Sequence, residues 1–405
     1  MKKYLIFIVI CLLLSSCTVE SPPQKAVTFM VYMAADNSLS DYALADIDEM
    51  ERSSFDLSQG NVIVQADLSE YNDYPACRRW MIKPDGLYDD QISSPVIDQL
   101  GEIDSGDWRS LVKFYNWCIA EFPADRYVLS IWSHGNDWYS YPTNPNKFCP
   151  DNESGNFINI SAGDLHQAFA ALKVNPDLVI LDACHMQSAE VISEIIPDCN
   201  YICGSTDIVP NSGFPYAEVI TEVCDNEFLD YNALPNLFVL SYEPGGSQNP
   251  IGAINQEVSA SLIKTNVFND YILSGISQLV DFGLENPEVH NDIMAARAEC
   301  LEFNDLEIDV DLIQFCSKLS AMTDNQELSE IAAQISSDLI ASNDFYNYPA
   351  WITGNVLITF PEIADSESWM NLQNDFQLLR FNQFTGWSNL INELMPPVDR
   401  QMACH

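Results

Sequence analysis

Tyr127-Val-Leu-Ser-Ile-Trp-Ser-His134-Gly135 and Asp177-Leu-Val-Ile-Leu-Asp182-Ala183-Cys184 are two apolar runs that each end on a reactive side chain. Apolar runs of this length suit strands buried on both faces, the setting of a parallel sheet. In open parallel sheets ligands sit outside the carboxyl ends of the strands, which is where His134 and Cys184 fall. A thiol and an imidazole far apart in sequence but carried on neighbouring strands are a candidate pair for nucleophilic catalysis on an acyl group.

Outward from these runs, strands and helices alternate. Val27-Thr-Phe-Met-Val-Tyr-Met-Ala34 reads as a central strand, and the polar turn Asp36-Asn37-Ser38-Leu39-Ser40 is placed to cap a helix over 41–52. Asn61-Val-Ile-Val-Gln-Ala66 and Arg78-Arg79-Trp80-Met81-Ile82 are further strands. Residues 108–122 carry Leu111, Phe114, Tyr115, Cys118, Ile119 and Phe122 at helical steps, so Cys118 belongs to an apolar stripe. Residues 136–156, rich in Asn, Pro, Tyr and Ser, form a long loop over the carboxyl edge. A helix over 163–172 precedes the Cys184 run, and another follows it to 196. Tyr201-Ile-Cys-Gly204 is the next strand. The alternation implies an α/β sheet covered on both faces. In the second half, helical stretches at 259–282, 291–303 and 327–342 precede one strand, Asn355-Val-Leu-Ile-Thr-Phe360. This divides the chain into a catalytic domain at 27–245 and a C-terminal extension at 246–405 packed on it.

The first residues have a different character. A basic start, Met1-Lys2-Lys3, and a short apolar stretch to Leu14 read as an export signal, ending in Leu14-Ser15-Ser16-Cys17. That ending resembles a bacterial lipobox, which implies lipidation of Cys17, removal of the preceding residues, and a lipid-anchored place in a bacterial cell envelope, at the outer membrane. Residues 1–17 are thus signal and lipobox, and 18–26 a tether. Without residues 1–16 the chain carries 15 basic against 59 acidic side chains, a formal charge of −44. Such a surface repels nucleic acid and anionic lipid heads and draws in cationic peptides. The ten cysteines beyond Cys17 include no CxxC pair and suggest no metal site.

The chain resembles the clostripain family of cysteine peptidases, which share a fold with caspases, gingipains and legumain. The matching segments include Val31-Tyr-Met-Ala-Ala-Asp-Asn37, Leu100-Gly-Glu-Ile-Asp-Ser-Gly-Asp107, Trp132-Ser-His-Gly135, Asp182-Ala-Cys-His-Met186, Pro210 to Tyr216 and Gly354 to Pro361. The resemblance implies a caspase-like three-layer α/β/α sandwich with a mostly parallel central sheet. It makes Cys184 the nucleophile and His134 the general acid of an endopeptidase that cleaves after Arg or Lys through an acyl-thioester. Backbone N–H groups of Gly135 and Cys184 would form the oxyanion hole, and a residue without Cβ at 135 permits the close approach. Asp182 would bind the basic P1 side chain. Strand alternation gives it the orientation of Cys184. Ser205-Thr206-Asp207 stands where the family has Ser-Glu-Glu, so Ser205 and Asp207 are further substrate-binding candidates.

Members often cut themselves after the catalytic His, and Lys147 is the basic residue of that loop. No cofactor is required by the sequence. Relatives include calcium-dependent enzymes, but residues 36–47 fail the EF-hand pattern and supply no ligand set. His166, within a helix, and His185, beside the nucleophile, are weaker candidates for the imidazole. The contrasting reading is a caspase-fold surface lipoprotein that binds peptides or glycans without turning them over, suggested by Thr206 and by Asn211 where glycine is usual.

Overall fold

The computed structural model describes residues 24–395, apart from 73, 88, 140–146, 226–230, 255–257, 304–307, 349–355 and 363–365. The signal, Cys17 and most of the tether lie outside the described residues. In chain order the described strands are β1 (Lys25–Ala35), β2 (Gly60–Leu68), β3 (Cys77–Met81), β4 (Val96–Gly101), β5 (Ala124–Trp132) and β6 (Leu178–Asp182). They continue with β7 (Tyr201–Gly204), β8 (Val258–Lys264), β9 (Glu302–Phe303), β10 (Asp309–Asp311), β11 (Asn343–Tyr348) and β12 (Leu357–Thr359). The main sheet has the order β11-β8-β7-β6-β5-β1-β2-β3-β4. Its centre, from β7 to β2, is parallel, and antiparallel strands flank it on both sides.

Two separate cores follow from the alternation of side chains along these strands. Met30, Tyr32 and Ala34 of β1, Leu129 and Ile131 of β5, and Val179 and Leu181 of β6 enter one core. Phe29, Val31 and Met33, with Val128, Leu178 and Ile180, enter the other. Helices α1 (Ser40–Glu51), α2 (Trp108–Glu121), α3 (Asp164–Ala170), α4 (Ala189–Ile195), α5 (Tyr216–Asp225) and α6 (Leu234–Tyr242) then divide between the faces. Leu111, Phe114, Tyr115 and Cys118 of α2 cover the first face together with α3 and α4. The second is covered by Ala43, Ile47 and Met50 of α1 with α5 and α6. This is the three-layer sandwich implied by the sequence.

The extension departs from its sequence reading. Residues 259–264, expected to be helical, belong to β8, whose residues pair with β7 on one side and β11 on the other. Helix begins only at Thr265. Pairing to a sheet edge overrides the weak helical pattern of Val-Ser-Ala-Ser-Leu-Ile-Lys, which also alternates its larger side chains between the two cores. Residues 291–303 are helical only to Ala298 and then enter β9. The strand read at 355–360 is present as β12, but it pairs with β10 in a second, three-stranded sheet. It docks beside the Cys184 segment, with Leu357 N–H donating to the Gln187 carbonyl at 2.9 Å and Thr359 N–H to Glu190 Oε1 at 3.0 Å.

The sheet order places the site. The sheet is extended by β2 on one side of β1 and by β5, β6 and β7 in turn on the other, all parallel, so β1 and β5 flank the point where the strand order reverses. Loops leaving adjacent strands in opposite directions open a crevice there. The segments after β1, β5 and β6 meet at it.

Candidate active site

β5 ends at Trp132 and β6 at Asp182, so His134 and Cys184 each lie two residues past a strand end. Ser133 ties these ends together: its Oγ donates to the Ala34 carbonyl at 2.7 Å, and its N–H donates to the Asp182 carbonyl at 3.2 Å. His134 and Cys184 line a single cavity, shared with Leu39, Trp132, Asp182, Val209, Asn211 and Gly213. The imidazole Nε2 lies 2.8 Å from Ser38 Oγ, whereas Cys184 Sγ lies 3.7 Å from the Val209 carbonyl. The two side chains therefore face one space while each is held by another partner. Burial pushes the Cys184 thiol up to about 11, with Asp182 and Asp207 adding to the effect, and burial lowers the pKa of His134. Both shifts favour the neutral thiol and the neutral imidazole.

Gly135 has no room for a side chain. A Cβ there would come within 2.7 Å of the Cys184 carbonyl and 2.8 Å of Ala183 Cβ. The absence of a side chain brings the backbone after His134 against the backbone at Cys184, as the sequence reading requires.

Asp182 is buried at the cavity wall. Its Oδ2 accepts from Phe214 N–H at 3.2 Å and from the Tyr216 hydroxyl at 2.9 Å. Burial raises its pKa to about 6 in spite of these two donors. Strand alternation does not carry Cys184 to the same orientation, because β6 stops at Asp182; the turn beyond the strand brings both into the cavity. Ser205 and Asp207 do not line it. Ser205 Oγ is within 3.1 Å of Asp207 N and O and 3.2 Å of Ser259 Oγ, and Asp207 Oδ1 accepts from Ile208 N–H at 2.7 Å. Thr206 is likewise buried against Ser259, with the hydroxyls 2.7 Å apart. Val209, Pro210, Asn211 and Gly213 form that wall instead.

Among the other sequence candidates, His185 adopts a left-handed backbone and places Nδ1 3.0 Å from the Thr206 carbonyl, away from the imidazole's position. His166 sits on α3 with Nδ1 2.8 Å from Arg380 Nη1. Lys147 lies 4.1 Å over the Phe157 ring and not in the cavity. The nine described cysteines beyond the tether are all free thiols. Ser38, read as part of a helix cap, makes no cap bond to α1 and contacts His134 instead. The sequence signal for that role was its position just past the end of β1, next to the reversal of strand order.

Asp36, Glu102 and Asp151 each bring a carboxylate oxygen to within 4.8 Å of the others. Partial burial, then the charges of Glu153, Asp151 and Asp36, push Glu102 up to about 7. An all-oxygen carboxylate set suits a hard divalent cation such as calcium.

The Clostripain family model, peptidase C11, matches residues 31–393. The chain belongs to this family. Clostripain of Hathewaya histolytica is 28% identical over 223 residues, 49% of this chain and 42% of the relative, so the match spans less than half of that protein's length. Among solved structures, a secreted C11 cysteine protease from Bacteroides thetaiotaomicron, in complex with an irreversible peptide inhibitor, has a TM-score of 0.67 at 20% identity. The match covers 90% of this chain and 99% of that one. An inactive zymogen C11 protease from Parabacteroides distasonis has a TM-score of 0.65 at 19% identity, with the same coverage. At these identities the two structures show the fold, and the family's caspase-like architecture is the one described above.

Proposed function

We propose that this clostripain-family chain is a cysteine endopeptidase that cleaves after Arg or Lys, and the observation that carries the reading is the meeting of Cys184, His134 and Asp182 in one cavity. Cys184 passes its thiol proton to the neutral imidazole of His134 and attacks the scissile carbonyl carbon. The oxygen of the tetrahedral intermediate is received by the N–H groups of Gly135 and Cys184, a role supported by the close approach of the two backbone segments that the missing side chain at Gly135 allows. Collapse breaks the C–N bond, His134 delivers a proton to the leaving amine, and the acyl group remains as a thioester on Sγ. Water then hydrolyses the thioester and restores the thiol. Asp182 supplies the charge that receives a P1 cation; with its burial, that contact is worth more than one in water.

Asp36, Glu102 and Asp151 would hold calcium if the enzyme takes it, neutralising three crowded carboxylates beside the β1 end. Cleavage after Lys147 in the loop following His134 would convert one polypeptide into two, since Lys147 is the cation available to a pocket that demands one there. Lipidation at Cys17 would anchor the chain to the cell envelope, its contact with membrane being through the lipid alone.

The test is hydrolysis of fluorogenic peptides ending in Arg, Lys or Leu by the mature chain and by Cys184→Ala, with intact mass of both proteins. The reading requires turnover after Arg or Lys in the wild type only, and a cut after Lys147 in the wild type only. Turnover by the Ala variant would remove Cys184 from the chemistry, and an uncut, active wild type would remove Lys147.

A further inference from the structure

The P1 reading places one carboxylate, Asp182, in the cavity wall, but a second stands directly behind it. Gly213, with φ +61°, separates Asp182 from Asp46 of α1. A Cβ at Gly213 would lie 2.8 Å from Asp182 Oδ2 and 3.2 Å from Asp46 Oδ2. The two carboxylates are thus within contact of a single methyl group. Asp46 is 3% exposed, and its Oδ2 accepts from Nε1 of Trp132, itself a cavity-lining residue, at 2.7 Å. The indole thereby links Asp46 to the cavity wall.

We propose that Asp46 is a second specificity-determining carboxylate of the P1 pocket, a positioning residue that acts on a cationic side chain from behind Gly213 and Trp132. The inference rests on the basic-P1 reading above.

The surroundings leave this charge for a ligand to balance. Glu49, one turn further along α1, is buried too, accepts from Gln248 Nε2 at 2.8 Å and Ala217 N–H at 3.4 Å, and forms an ion pair with Arg52 Nη2 at 3.6 Å. Tyr216 gives its hydroxyl to Asp182, and Tyr242 gives its own to the Gly213 carbonyl at 2.6 Å. Neutral hydrogen-bond donors therefore serve Asp46 and Asp182, and Arg52 pairs with Glu49. Burial, then Glu49 and Asp182, push Asp46 well above the ordinary carboxylate range, as a site short of positive charge requires. A guanidinium or ammonium entering the cavity supplies that charge in a medium where it is poorly screened.

The experiment compares kcat/KM for peptides ending in Arg and in Leu, in the wild type and in Asp46→Asn, whose amide oxygen retains an acceptor for Trp132. The Arg-to-Leu ratio should fall roughly tenfold, through a rise in KM for the Arg peptide. Asp46→Ser makes the same comparison if the amide variant does not fold. A ratio equal to the wild type's in a folded variant overturns the role of Asp46 alone, and a merely structural role would lower both substrates together. A wild type with no preference for Arg or Lys overturns the basic-P1 reading, and with it this one.

Discussion

Ser38 Oγ lies 2.8 Å from Nε2 of His134, so the loop after β1 holds the imidazole that the loop after β5 delivers. The contact joins the two sides of the strand-order reversal at the atom that must carry a proton. Replacing Ser38 with Ala should lower kcat about fivefold with little change in KM, corresponding to ~1 kcal/mol for one neutral hydrogen bond. Steady-state kinetics on an Arg peptide checks this, and an unchanged kcat would show that the imidazole is held without Ser38.

Burial of Cys184 sets its reactivity. Because the thiol is pushed up to about 11 and no positive charge is set against it by the neutral imidazole, alkylation by iodoacetamide should be slow at pH 7 and still rising at pH 10. Peptide mapping at Cys184 follows the rate. A plateau reached by pH 7 would mean that a thiolate–imidazolium pair forms in the free enzyme.

How much of this was legible beforehand depends on what each feature rests on. The strands Tyr201–Gly204 and those bearing His134 and Cys184 were readable because burial on both faces writes an apolar run into the sequence. β8 was not, since its strand state comes from edge pairing to residues some sixty positions earlier, which local pattern does not record. The convergence of Cys184 and His134 on one cavity was readable from their places at strand ends, whereas Asp182 was singled out through the resemblance to the clostripain family. The proximity of Asp46 to Asp182 was not readable: on α1 Asp46 reads as one of many acids, and only the backbone of Gly213 brings the two together. That Ser205 and Asp207 do not line the cavity was not readable, because the loop after β7 turns their side chains onto Ser259 and the backbone.

Acidic side chains make stability fall with rising pH. Asp67 is 1% exposed, neither of its carboxylate oxygens has a hydrogen-bond partner, and the neighbouring Ser105 hydroxyl is bonded to Asp151. Burial, then Glu102, raises its pKa from 3.8 to about 9. Burial raises Glu49 from 4.5 to about 7. The folded state holds protons that the unfolded chain releases, so this stability is complete below about pH 4 and is lost as pH rises through 9. Thermal unfolding should show Tm declining over that range. Asp67→Asn should raise stability at pH 8 by ~1–3 kcal/mol and change it little at pH 4. A Tm that rises from pH 5 to 8 in the wild type would contradict the burial of these protons.

Calcium should bind at Asp36, Glu102 and Asp151 if the crowding there serves a cation. Millimolar calcium should then raise the Tm of the wild type and leave that of Glu102→Gln nearly unmoved, since binding to the folded state alone stabilises it. Equal responses of the two proteins would place any calcium elsewhere.

In the proposed reaction Cys184 attacks an acyl group whose P1 side chain is a cation held at Asp182. Its most direct measurement is covalent trapping: the mature chain is exposed to a peptidyl-arginine chloromethyl ketone and to its leucine counterpart, and the adduct is located by mass spectrometry. One adduct is expected, on Cys184, formed much faster with arginine, and that advantage should be lost in Asp182→Asn. Modification at another cysteine, or equal rates for arginine and leucine in the wild type, would contradict it.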